Sequence, residues 1–391
     1  MEVKQVATLL NSVIAEQVGE EATLLNEDLS NVVDVGKAVF NATSFDKFTK
    51  ALVDHIGKVI FVDRRYEGTV PSVIYDGFEY GAVLEKIGSE IPEYTENETW
   101  DLTNGQSYDP NVFYGSSVYA KFFSRYVTFE VPISIADKQA KSAFSSREQL
   151  TRFVSMLFGK VEDAMTLAEE SLVMRAINGA IAETIYDDYG ANAIGLSSGV
   201  KAINLLYLYN QTVATPLTQE QALQSPDFIR FASVEIMKVA NRMKKVSTLF
   251  NVGGKKRFTP MKNMKIVMHS DFSANAKAYL YSSTFHEEYV KLPKADEVPY
   301  WQGCGDDYDI EETTAINVKL PSDNTKTVAC DGVICAMFDE EALGVLNFER
   351  YTTSDYNGKA EFTNYWHKQK SCQFLDLNEN IVVFLCNDTT A

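Results

Sequence analysis

The 391-residue chain has no run approaching 18 consecutive apolar residues, which excludes a membrane-spanning helix. Its start, Met1-Glu2-Val3-Lys4, lacks the basic region, apolar run and small-residue cleavage site of a secretory signal. The chain is therefore expected in a cytoplasm, and the Asn-x-Thr sequons at Asn41, Asn97, Asn210 and Asn387 carry no weight. Cysteine is sparse and without CxxC spacing: Cys304, Cys330, Cys335, Cys372 and Cys386 form an odd set, expected as free thiols. Histidine is scarcer still. His55, His269, His286 and His367 have no second His or Cys at ligand spacing, so zinc-protease and zinc-knuckle patterns fail. Gly253-Gly254-Lys255-Lys256-Arg257 lacks the phosphate-loop frame, and Gly303-Cys304-Gly305 lacks the third glycine of a dinucleotide fingerprint. No cofactor or metal is expected.

Charge is unevenly absent. Acids outnumber bases 54 to 36, a net −18, which disfavours a protein that coats nucleic acid by neutralising phosphates. Between Glu235 and Asp271 there is no acid, while Lys238, Arg242, Lys244, Lys245, Lys255, Lys256, Arg257, Lys262 and Lys265 supply nine positive charges. Residues 87–120 are the mirror image, with six acids (Glu90, Glu93, Glu96, Glu98, Asp101 and Asp109) and no Lys or Arg. Such segregation suggests complementary surfaces, with two separate solvated faces as the bland alternative.

What is present is globular. Apolar residues make up 45%, and a chain this long can bury roughly 75% of its unfolded surface without disulfides or metal. Val6, Leu9, Leu10, Val13 and Ile14 share one face of a helix, and a second amphipathic helix is expected over 44–56, followed by a strand at Val59-Ile60-Phe61-Val62. From Arg65 to Phe113 the pattern dissolves into Gly, Pro and Tyr, too long for an ordinary connection and too aromatic for disorder. Val127, Phe129, Val131, Ile133 and Ile135 then alternate with polar residues as a strand, and Pro132 assigns it to an edge or bend. An arm leaving near residue 62 and returning near 120–135 reads as a long two-stranded loop.

No proline occurs between Pro132 and Pro216, and helical spacing from Leu150 to Ile177 predicts one helix over about 146–185, capped by Ser146. A break at Gly159 or Gly179 is the alternative. Residues 190–330 read as mixed α/β, with a helix opened by Ser225-Pro226-Asp227, a strand at 264–268 and a helix capped by Asp271. The remainder is strand-rich: Val333 to Phe338, Tyr365 to Leu375, and Ile381-Val382-Val383-Phe384-Leu385, a continuous run fit for burial on both faces.

The stretch from Ala51 to Ile60, the ending from Tyr365-Trp366-His367 to Phe384, and the order of parts between them resemble the major capsid protein of tailed double-stranded DNA bacteriophages, with particular similarity to short-tailed phages. That resemblance implies an α+β fold: an N-terminal arm with helices (1–56), an extended loop (57–135), a peripheral domain with a spine helix (136–189), an axial domain (190–330) and a strand-rich return (331–391). It implies a non-enzymatic subunit that self-assembles into an icosahedral virion shell around DNA without binding it specifically, made in the host cytoplasm. Hexamers and pentamers of itself are the implied partners, with scaffolding, portal and decoration proteins as further candidates. Only about 40 residues precede the arm helix, which suggests a separate scaffold or none, and a loop without lysine over 87–120 argues against covalent welding through it.

Candidate inter-subunit contacts are Glu90, Glu93, Glu96, Glu98, Trp100 and Asp101 on the arm, against Lys244, Lys245, Lys255, Lys256 and Arg257 of a neighbour. Two other readings stand beside this one. A cytoplasmic hydrolase could use the acids of 90–109, since glycoside cleavage needs paired carboxylates near an aromatic platform. A cellular nanocompartment shell protein would share the fold.

Overall fold

The computed structural model describes residues 3–18, 24–35, 70–76, 84–91, 104–105, 111, 113, 115, 118–123, 126–136, 138, 147–190, 192, 194–283, 295–301, 303–304 and 314–388. The expected 44–56 helix, the 59–62 strand and the Ser146 cap lie outside these residues.

The dominant element is a 43-residue helix, Arg147–Tyr189, about 65 Å long. It runs unbroken through Gly159 and Gly179, because no proline interrupts its hydrogen bonds. From Ser171 to Ile185 every residue except Arg175 is buried, so this half is a core helix; its buried Asn178, Glu183 and Thr184 are hydrogen-bonded to Trp301 O, Ser322 N and Ala180 O. Gly179 is where it is approached most closely: an added Cβ would stand 2.9 Å from Cγ of Pro321. The helix stops at Gly190, whose φ of +60° turns its N–H back to Tyr186 O at 2.8 Å.

Beside this helix lies a mixed sheet in the order Ala202–Asn204, Ile381–Leu385, Val333–Asp339, Met264–His269, Asp296–Val298. Ile381–Leu385 is buried throughout. Its side chains divide by alternation: Ile381, Val383 and Leu385 join the core shared with the long helix. Val382 and Phe384 join a second core under the helices Pro226–Met243 and Ser270–Ser283. Ser225 caps the first of these with proline at its start, whereas Asp271 lies inside the first turn of the second rather than at its cap.

A second sheet takes the order Ile74–Asp76, Leu343–Asn357, Phe362–Leu375, Tyr126–Ala136. Among the described residues Tyr126–Ala136 is an edge strand, where Pro132 costs no ladder bond. Its described partner is Phe362–Leu375. The two-stranded loop is instead a separate ribbon, Leu84–Ser89 antiparallel to Val118–Phe123. The strand Leu343–Asn357 is absent from the sequence reading; its outer half alternates polar and exposed, and only its partner keeps it extended.

Candidate functional site

His269 is buried against a cleft of about 230 Å³ lined also by Gln219, Asp271, Asp331 and Cys386. Burial lowers the imidazole pKa and pushes the Cys386 thiol up to about 12, so the pair holds a neutral ring and a protonated thiol. Cys330 is likewise pushed up to about 12, and Cys335 is raised by complete burial. His367, 3.1 Å from Thr352 Oγ1, is pushed down to about 4 by burial and then by the Arg350 charge. Among the described residues no group of three or more His, Cys, Asp and Glu side chains could hold a metal, and no helix is long and apolar enough to cross a membrane.

The charged side chains converge elsewhere, at the root of the ribbon. Alternation turns Lys86, Gly88, Tyr119 and Lys121 to one face, and that face lies on the turn after strand Phe362–Leu375. Lys121 Nζ donates to Asp376 Oδ1 at 2.9 Å. Lys86 Nζ donates to Glu379 Oε1 at 2.8 Å and stands 3.1 Å from both Asp376 Oδ2 and Glu341 Oε2. The contact with Asp376 Oδ2 is an ion pair rather than an aligned hydrogen bond. Asp376 has no exposed side-chain surface, and Glu379, Lys86 and Arg257 keep 9%, 17% and 13% of theirs. Burial alone would raise the Asp376 pKa, yet Lys121 and Lys86 hold it below its ordinary value. Burial likewise works against Lys86, but Glu379 and Asp376 raise it above the usual lysine range.

A third element closes this clip. Ser247 and Arg257 exchange both backbone hydrogen bonds at 2.9 Å, making a short hairpin. Asn251 folds its tip by donating to Lys255 O and accepting from Lys255 N, each at 2.7 Å, and Gly254 takes φ +63°. Gly253 lets the tip close on the turn: its N–H donates to Leu377 O at 3.0 Å, and a Cβ there would fall 2.0 Å from Asn378 Oδ1. Arg257 then bonds Glu379 Oε1 at 3.1 Å and the Tyr119 hydroxyl, with its guanidinium 5.5 Å over the Tyr119 ring. The ring has room because its cross-strand partner is Gly88. Below it Phe123 packs on Phe374 at 5.7 Å between ring centroids.

Of the residues singled out in the sequence, Glu90 pairs with Lys255, which holds its carboxyl below the ordinary range. This acidic-to-basic pair forms within one chain, as does the docking of Arg257. Lys256 is exposed beside them, Lys244 Nζ donates to Asn241 at 2.6 Å, and Lys245 is exposed. Glu93, Glu96, Glu98, Trp100 and Asp101 lie outside the described residues. Sequence reasoning passed over Lys86, Lys121, Asp376 and Glu379. A signal existed, since Lys86 and Lys121 are the two bases that bracket the base-free stretch.

The face opposite the clip is apolar. Ile87, Val118 and Phe122 are 68%, 63% and 62% exposed, with Glu85 across from Phe122. Together these side chains form an exposed apolar strip on a ribbon whose other face is pinned by ion pairs.

Comparison with known proteins gives the context. The family described as Phi29-like phage major capsid protein matches residues 10–385. Among solved structures, the capsid of Staphylococcus phage Andhra superposes with TM-score 0.52 at 11% identity, covering 83% of this chain and 84% of that one. A chain in the structure of the head fiber and inner core protein of native bacteriophage P68 gives TM-score 0.51 at 10% identity, covering 81% and 83%. At these identities the likeness is one of fold. No curated protein matches.

Proposed function

Since this chain belongs to the Phi29-like phage major capsid protein family, and is a structural, non-enzymatic subunit of a multi-copy virion shell, we propose that the clipped ribbon is its principal assembly arm. The outward face of Ile87, Val118 and Phe122 carries this reading. Each such side chain contributes about 1.5–3 kcal/mol when it leaves water completely. Part of that gain offsets the lost freedom of the joined subunits. The clip lowers the cost by fixing the ribbon before it meets a partner.

The arm meets the next copy head to tail, and such contacts close into rings, here the hexamers and pentamers of an icosahedral shell. Scaffolding, portal and decoration proteins are the further partners, and assembly takes place in the host cytoplasm. The −18 charge suits an interior from which double-stranded DNA can leave, because the shell repels phosphates rather than binding them.

The test is electron microscopy of shells from the expressed chain, with its co-encoded head proteins where needed. Ile87→Glu with Phe122→Lys, the second change lying across from Glu85, should abolish shells while circular dichroism and melting of the subunit stay unchanged. Normal shells from that variant would remove the ribbon from the assembly interface.

A further inference from the structure

The hairpin that closes the clip has two faces, and only one is spent. Ser247 and Arg257 share the face turned to Glu379 and Tyr119. Alternation places Val246, Lys256 and Phe258 on the other side, where Val246 and Phe258 are 47% and 50% exposed and Lys256 is exposed. Leu249 and Met261, close by in sequence, are exposed as well. The protein therefore carries two apolar faces rooted in one ionic clip. One belongs to the ribbon and the other to the hairpin.

From this we infer that the hairpin face of Val246, Lys256 and Phe258 receives the ribbon face of Ile87, Val118 and Phe122 from a second copy of the chain. The inference rests on the ribbon being an assembly arm and names the surface it docks on. Two observations select that occupant. First, both inner faces are held by the same buried ions, so within one chain the outer faces turn away from each other. They can meet only between copies, which is the heterologous contact that repeats around a ring. Second, their charges are opposite. The ribbon's outer face presents exposed Glu85 and the hairpin's outer face exposed Lys256, whereas Glu90, Lys255 and Arg257 are already paired within the chain. The exposed pair Leu196 and Val200 is a poorer match, because it adjoins Asp187 and Asp188, already paired with Lys201.

Disulfide trapping in assembled shells tests this directly. Ile87→Cys with Phe258→Cys, and separately Phe122→Cys with Val246→Cys, are oxidised and run on a non-reducing gel. A ladder of cross-linked copies, at least tenfold above either single variant, is the expected result. Shells of normal yield without a ladder from either pair would overturn the proposal while leaving the ribbon an assembly arm. A ladder from Ile87→Cys with Leu196→Cys alone would also overturn it, by placing the ribbon elsewhere. Lys256→Glu should in addition lower shell yield several-fold with an unchanged melting temperature, and unaltered yield counts against the inference. Failure of the assembly-arm reading is separate, because then the Ile87→Glu, Phe122→Lys variant still builds shells.

Discussion

Lys86 and Lys121 stand directly opposite each other across the ribbon, and both end on the one carboxylate of Asp376, at 3.1 and 2.9 Å. Like charges facing each other across a strand pair are destabilising, so this ribbon closes only because a buried acid lies beneath both. Asp376 thereby joins two strands that are otherwise held by six residue pairs and little core.

Asp376→Asn should accordingly do more than remove a bond. It leaves two partly buried ammonium groups face to face, and breaking buried pairs of this kind costs about 3 kcal/mol or more. Amide hydrogen exchange should show loss of protection at 84–89 and 118–123. The long helix should keep its protection.

The clip should also have a definite pH window. Asp376 is held below its ordinary pKa of 3.8, so its stabilisation is complete above that value and is lost as pH falls through the lower, folded one. Lys86 is held above its ordinary 10.5, so its contribution is present below that pH and lost as pH rises further. Ribbon protection is therefore expected to be flat from about pH 5 to 9 and to fall on strong acidification.

His367 gives a different profile. Its folded pKa of about 4 lies below the ordinary 6.5, so the unfolded chain takes up a proton first as pH falls. Stability should decline between those values by about 3 kcal/mol, at 1.36 kcal/mol per unit. Urea midpoints from pH 7 to 4 measure it, and His367→Gln should flatten the slope.

Gly88→Ala should loosen the ribbon by about 1–3 kcal/mol, as overpacking does. Its Cβ would stand 2.5 Å from the Tyr119 ring and push that ring off Arg257. In a Tyr119→Ala background the same change should cost little, and a double-mutant cycle reads the difference.

Reversing all of Lys255, Lys256 and Arg257 to Glu, the variant the charge pattern first suggests, would mix two effects. Lys255 and Arg257 belong to the clip, and Lys256 alone faces outward. The triple variant should thus lose ribbon protection as well as shell yield, where Lys256→Glu loses yield only.

Much of the fold could be read from local pattern. Ile381–Leu385 announced burial on both faces, and the long helix was visible in its spacing and missing prolines. The clip was legible only by halves, because its partners lie 255 and 293 residues apart and no local periodicity links Lys121 to Asp376 or Lys86 to Glu379. Of the segregated charges, Glu90 and Lys255 meet within the chain. What the charge pattern could not show was that Glu90–Lys255 would be satisfied at home, since pairing within a chain and between chains has the same sequence signature.

The strand Ile381–Leu385 has a bearing on timing as well as on packing. Among the described strands it comes last in chain order, and it feeds alternate side chains into both cores. Neither core can be completed before it arrives. The turn just ahead of it supplies Asp376 and Glu379, so a growing chain carries its ribbon without the acids that aim it. The ribbon is thus aimed by residues 255 and 293 positions further along the chain, and it is set only once they have been made.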